Sequence, residues 1–235
     1  MPDWAGELAA AVVAAVLAIT LHEAAHGYAA LALGDDTAKR AGRISLNPIR
    51  HVDPVGTLLL PGVLLVSQLA TIGRVEAMFG WAKPVPVNVW NLRNPRWGMV
   101  GVAAAGPGMN FALAWLAGLA VHAVVAWQGA APDEALSIVM RFLALFILSN
   151  LVLALFNLLP VPPLDGGRIL VGLLPARAAM AVAQLERVGL LVVILGLFVL
   201  PAVVPGFDPL GFALRTLVAG AFEWVLRLSG HGVNG

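Results

Sequence analysis

The sequence predicts an all-α, polytopic membrane protein with about five spanning helices, a re-entrant segment at 55–73 and a small β element near the cytoplasmic face. Three observations predict it. Of 235 residues, 60% are apolar and only 11% charged, with mean hydropathy +0.89. A soluble domain carries about 25% charged residues, so polar surface is too scarce here to cover a water-soluble globule. Apolar runs recur at roughly 5–33, 55–73, 97–127, 136–160, 182–204 and 209–228, most of them exceeding the ~20 residues that cross a bilayer core. Most of the few basic residues lie between these runs, clustered on alternate sides of them. One integral-membrane domain accounts for 1–235, with a core at about 5–175 and C-terminal helices at about 182–228.

The first run, 5–33, lacks the basic start and short apolar stretch of a signal peptide and is read as a retained helix. Lys39, Arg40, Arg43 and Arg50 follow it; Arg74, Lys83, Arg93 and Arg96 precede 97–127; Arg168, Arg177 and Arg187 separate 136–160 from 182–204. Gln128–Ala135 and Pro201–Leu210 contain no Lys or Arg. The positive-inside rule therefore places the three basic stretches in the cytoplasm and the N-terminus outside. Trp4 and Trp127 then fall in the outer aromatic belt and Trp97 in the inner one.

Both flanks of 55–73 are basic, and a full crossing would separate them. Pro61 and Gly62 interrupt the run. The segment is expected to enter and return, since irregular backbone at membrane depth is tolerated where protein or a cavity surrounds it. Gly42–Leu46 and Pro84–Val89 have the β-branched, alternating character of two short paired strands. The C-terminal helices have three uses open to them: shielding the core, gating entry, or a homo-oligomer contact.

With near-zero net charge and no basic helix, nothing points to nucleic acid. With no cysteine, a metal must be held by His and carboxylates. His22-Glu23-Ala24-Ala25-His26 meets that need. Residues four apart share a helix face, so both imidazoles reach one ion, and Glu23 lies beside it as a general base. Each ionisable group costs about 2.5–3.5 kcal/mol at the centre of a membrane helix, and a divalent cation compensates directly. Catalytic zinc takes three protein ligands. Asp165, in a Pro/Gly-broken stretch after 136–160, is the candidate third, although Asp-Gly is also ordinary turn chemistry. If 55–73 makes no net crossing, 97–127 and 136–160 return the chain to the histidines' side just before Asp165.

These motifs resemble the site-2 protease family: HExxH on the first helix, Ala105-Gly106-Pro107-Gly108-Met109-Asn110 opening the second, and Asn157-Leu-Leu-Pro with Leu164-Asp165-Gly166 after the third. The resemblance covers about Leu17 to Leu170. Gly42–Gly56 and Phe79–Pro95 look like a compact bacterial branch without PDZ or CBS domains. It implies an intramembrane zinc metalloprotease with one Zn2+ on His22, His26 and Asp165, Glu23 as base, and membrane-protein or transmembrane-helix substrates cut within the lipid bilayer. Asn157 matches a family asparagine that assists substrate or oxyanion positioning; an interhelical contact is its plainer role. Asn110 is read as packing beside Gly106 and Gly108. His51 and Asp53 form a second polar cluster, read as a turn before a second ion site; His122 and His231 are not site candidates. Two rivals stand beside hydrolysis: a zinc-binding scaffold or pseudoprotease, and an ion transporter using the His/Asp cluster.

Overall fold

A computed structural model of the chain describes residues 3–71, 73, 80–127, 134–204 and 206–231. Helix α1 (Asp3–Ala32) runs for 30 residues, about 45 Å. Its buried positions Ala14, Ala18, His22, His26 and Ala30 stand four apart, so they form one ridge. Short α2 (Thr37–Arg40) follows, and α3 (Leu60–Thr71) continues from a π-type segment, Pro54–Leu59. α4 (Pro95–Trp127) buries Gly98, Val102, Gly106, Asn110, Ala114 and Gly118, again four apart. Two such ridges with Ala or Gly at most steps let helix axes approach closely, the usual basis of helix association in lipid. α5 (Glu134–Asn157) packs on both. Ile147 and Leu151 of α5 meet Ala114 and Ala117 of α4, together with Val218 and Val225 from the C-terminal end.

The remaining elements are short: α6 (Asp165–Leu173), α7 (Ala176–Gln184), α8 (Gly189–Ile194), α9 (Leu200–Val203), α10 (Pro209–Phe212) and α11 (Ala219–Leu228). Among the described residues, five stretches are long and apolar enough to cross a membrane: Gly6–Ala32, Pro54–Thr71, Pro95–Trp127, Leu136–Asn157 and Pro209–Leu228. Their outward faces carry exposed Leu, Val and Ile, as a lipid-facing surface requires.

Three sequence expectations change. The run at 182–204 is not one spanning helix. It breaks at Leu185–Val188, and the helical stretch from Gly189 to Val203 reaches only about 22 Å against a ~30 Å hydrocarbon core. The small β element is absent among the described residues. Gly42–Leu46 and Pro84–Val89 do lie together over α1, where Gly27 leaves room for Ile44 and Val85. Pro84 and Pro86 have no N–H to give a ladder, and Arg43 binds the carbonyls of Lys83 (2.5 Å) and Pro84 (3.5 Å) instead. His231, expected in a loose tail, is tied down: its Nε2 meets Gly118 O at 2.9 Å and its ring stacks on His122.

The residues on either side of the 55–73 run lie close together. Trp81 N donates to Gly56 O (3.2 Å), Thr57 Oγ1 to Trp81 O (2.9 Å) and Lys83 N to His51 O (2.9 Å). A Cβ on Gly56 would strike the Trp81 ring and one on Gly80 would strike Gly56 O. The two flanks therefore lie side by side, although the described helix from 54 to 71 is unbroken at Pro61 and Gly62. Trp97 and Trp127 stand exposed at opposite ends of α4. The Trp4 side chain, Arg74 and residues 128–133 lie outside the described residues.

Candidate metal centre

The common ridge of α1 turns His22 and His26 towards α4, and both are buried. Their Nε2 atoms are 3.0 Å apart. Asp165 Oδ2, at the first turn of α6, lies 3.2 Å from each. An ideal tetrahedral zinc site with bonds of about 2.0–2.1 Å has ligand atoms about 3.3 Å apart. The three atoms thus form one face of such a tetrahedron. Asp165 Oδ2 is buried yet lacks a well-directed hydrogen bond, an orphaned acceptor that a cation would satisfy. No other group of three or more potential ligands converges among the described residues. The residues fit a divalent metal.

Each histidine is held from behind. His26 Nδ1 is 2.7 Å from Val102 O, which can only accept, so Nδ1 carries the proton and Nε2 keeps its lone pair for an ion. His22 Nδ1 lies 2.5 Å from Asn110 Oδ1. Gly106 makes room: a Cβ there would stand 2.5 Å from His26 Nε2 and 2.6 Å from His22 Cε1.

Asp165 is placed by the chain itself. The loop after α5 folds back through Val161 N to Leu159 O (2.8 Å) and Leu164 N to Val161 O (3.1 Å). Gly166 and Gly167 then press their backbone on Leu158, Val161 and Pro162, where any Cβ would collide. At the other end of α6, Arg96 Nε donates to Gly172 O (2.6 Å) and Nη2 to Leu174 O (2.9 Å), capping the free carbonyls from α4.

Glu23 lies on the open side. In Pro84-Val85-Pro86 the only backbone N–H belongs to Val85, and it donates to Glu23 Oε2 at 3.0 Å. Glu23, both histidines, Asp165, Asn157 and Val85 line one cavity of about 330 Å³. Asn157 Nδ2 also donates to Leu153 O at 3.0 Å, one turn back.

The other candidates stand apart. Asp53 Oδ1 accepts from Val55 N (3.0 Å) and Gly56 N (2.7 Å), capping the helix at Pro54 as the turn reading expects. His51 Nε2 meets Ser45 O at 2.8 Å. His122 and His231 pair with each other away from the metal group.

Sequence reasoning missed Asp35. It is fully buried just past α1 and accepts from Thr37 N (3.0 Å), Thr37 Oγ1 (2.5 Å), Asn88 N (2.7 Å) and Asn91 Nδ2 (2.9 Å). Burial pushes its carboxyl up, but the bonds from Thr37, Asn91 and Asn88 outweigh it and hold the group below the ordinary carboxylate range. It ties the strap carrying Val85 to the end of α1. Asn150 was missed too; a polar side chain inside the apolar run 136–160 was its signal.

Comparison with known proteins gives the family. The model of peptidase family M50 matches residues 121–200, the stretch containing Asp165. "Putative zinc metalloprotease YwhC" of Bacillus subtilis is 42% identical over 193 residues, covering 81% of this chain and 80% of that protein. "Putative zinc metalloprotease Rip2" of Mycobacterium tuberculosis is 31% identical over 234 residues, covering 97% of this chain and 76% of that one. No solved structure matches the chain significantly. The chain belongs to peptidase family M50, the site-2 protease family.

Proposed function

We propose that this chain is a multi-pass membrane zinc endopeptidase that cuts membrane-embedded protein substrates. His22, His26 and Asp165 hold one zinc ion, and Glu23 is the general base. One observation carries this reading: three ligand atoms form the face of a zinc tetrahedron, and Glu23 stands beside it in the same cavity.

A zinc ion there supplies a water acidified towards neutral pKa and a Lewis acid for the scissile carbonyl. Glu23 takes the proton of the attacking water and delivers it to the leaving amine. Val85 N–H holds one Glu23 oxygen and so steadies the carboxylate at the cavity wall. Asn157, from the cavity wall, steadies the substrate or the developing oxyanion. A transmembrane-helix substrate hides its peptide carbonyls in intrahelical hydrogen bonds, so it must unwind locally before a peptide bond reaches Glu23.

The basic residues support an active site towards the cytoplasmic side, an external N-terminus, and 55–73 as a re-entrant excursion. The whole chain is read as a single membrane domain.

The test is zinc content of the detergent-purified full chain, wild type beside Asp165→Ala. One zinc per wild-type chain and a sharp loss in the variant is expected. Zinc retained without Asp165 would remove it from the ligand set. No zinc in the wild type after supplementation would overturn the zinc protease and the zinc-binding scaffold alike and leave the ion transporter.

A further inference from the structure

We propose that Asn150 is a positioning residue for the metal centre: acting through Asn110, it fixes which nitrogen of His22 carries the proton. This rests on the reading that His22 and His26 hold a metal.

Unlike His26, His22 has no carbonyl behind it. Its Nδ1 faces an amide, Asn110, which can present either oxygen or NH2 and so does not by itself decide the tautomer. The decision comes from the next helix. Asn150 Nδ2 is 2.8 Å from Phe146 O, a backbone carbonyl that only accepts. The Asn150 NH2 must therefore point there, leaving its Oδ1 towards Asn110 Nδ2 at 2.8 Å. Asn110 Nδ2 also faces Ala18 O at 3.4 Å. With its NH2 committed, Asn110 offers only Oδ1 to His22, and His22 Nδ1 must be the donor. Its Nε2 is then a bare lone pair aimed at the ion.

The opposite orientation puts Asn150 oxygen against Phe146 O and Asn110 oxygen against Ala18 O. Those are two acceptor–acceptor contacts in a fully buried place. It would also place the His22 proton on Nε2, where the metal should bind. Two carbonyls on α1 and α5 therefore polarise the relay, and neither asparagine touches the ion.

The test compares Asn150→Leu and the smaller Asn150→Ala with wild type in the full chain. Zinc affinity is measured by chelator competition, and His22 by nitrogen NMR of the zinc-free protein. A positioning role predicts zinc affinity lower by about 10- to 100-fold, the usual effect of losing an outer-shell partner. It also predicts loss of the single Nδ1–H tautomer at His22. Asn110→Asp in the Asn150→Leu background should restore the Nδ1–H tautomer at His22, because a carboxylate can only accept from Nδ1. A plain packing role would lower thermal stability and leave zinc affinity unmoved. Wild-type zinc affinity in both Asn150 variants, or an unchanged His22 tautomer, overturns the proposal. If wild type takes no zinc, the metal reading fails, and the zinc-free NMR spectrum still decides the relay.

Discussion

Replacing Gly106 with Ala adds one methyl group at the most confined point of the metal centre. Its Cβ would stand 2.5 Å from His26 Nε2 and 2.6 Å from His22 Cε1, whereas non-bonded heavy atoms settle near 3.5 Å. The rings must therefore retreat by about 1 Å or α4 must shift. A metal site tolerates only about 0.2 Å in its bond lengths. His26 is further held by Val102 O from the same helix, so it cannot swing away without losing that bond. Zinc affinity is expected to fall at least 100-fold, about 2.7 kcal/mol. Helix propensity works the other way, since Ala is favoured over Gly by about 1 kcal/mol in a helix interior. The loss therefore does not reflect a weaker helix. Gly108→Ala is the control: its Cβ meets nothing within 4 Å. It should bind zinc like wild type. The assay is chelator competition on the three purified proteins, with circular dichroism to confirm equal helix content. Gly106→Ala binding zinc within threefold of wild type would refute the placement of the imidazoles against α4.

Two further outcomes follow from the same geometry. Glu23→Gln keeps zinc, since neither metal-facing nitrogen nor Asp165 is altered, and loses about 100- to 10,000-fold in cleavage rate of a membrane substrate; equal loss of zinc would make Glu23 a ligand instead. Asp35 has a folded pKa below its ordinary value near 3.8, so its stabilisation is complete above that pH and disappears as pH falls through the folded value. Hydrogen exchange at Asn88 and Asn91 should accelerate below about pH 4, and Asp35→Asn should flatten that dependence.

The candidate ligand group was legible because its residues are rare in their setting. Two histidines and a glutamate in an apolar helix pointed to a partner ion, and the expected parity of crossings pointed to Asp165, which the structure brings beside both histidines. The two flanks of 55–73 lie together, Lys83 N donating to His51 O. Other features depended on information that hydropathy does not carry. Pro84 and Pro86 have the alternation of a strand but not its donors, so Val85 serves Glu23 rather than a neighbouring strand. The break within 182–204 falls at Leu185–Val188, where Glu186 and Arg187 interrupt the apolar run and no proline precedes Pro201. Next to it Gly189 lies against the main chain of Pro162, a contact invisible along the sequence. Asn110 and Asn150 were visible as polar residues in apolar helices, but their direction depends on carbonyls of other turns and helices.

Asp165 is positioned largely by main chain against main chain, at Gly166, Gly167 and Gly189. Such a contact inverts the usual logic of alanine scanning. Elsewhere alanine subtracts atoms and reports what a side chain contributed; along this stretch it adds the first atom that does not fit. The largest effects near the LDG motif should therefore map to positions that have no side chain. Half-buried Val161 and Leu164, whose backbones do the folding back, should tolerate truncation better. A backbone contact also has no rotamer through which to relax, so the carboxylate side of the centre behaves as a fixed jaw against which the two imidazoles are set.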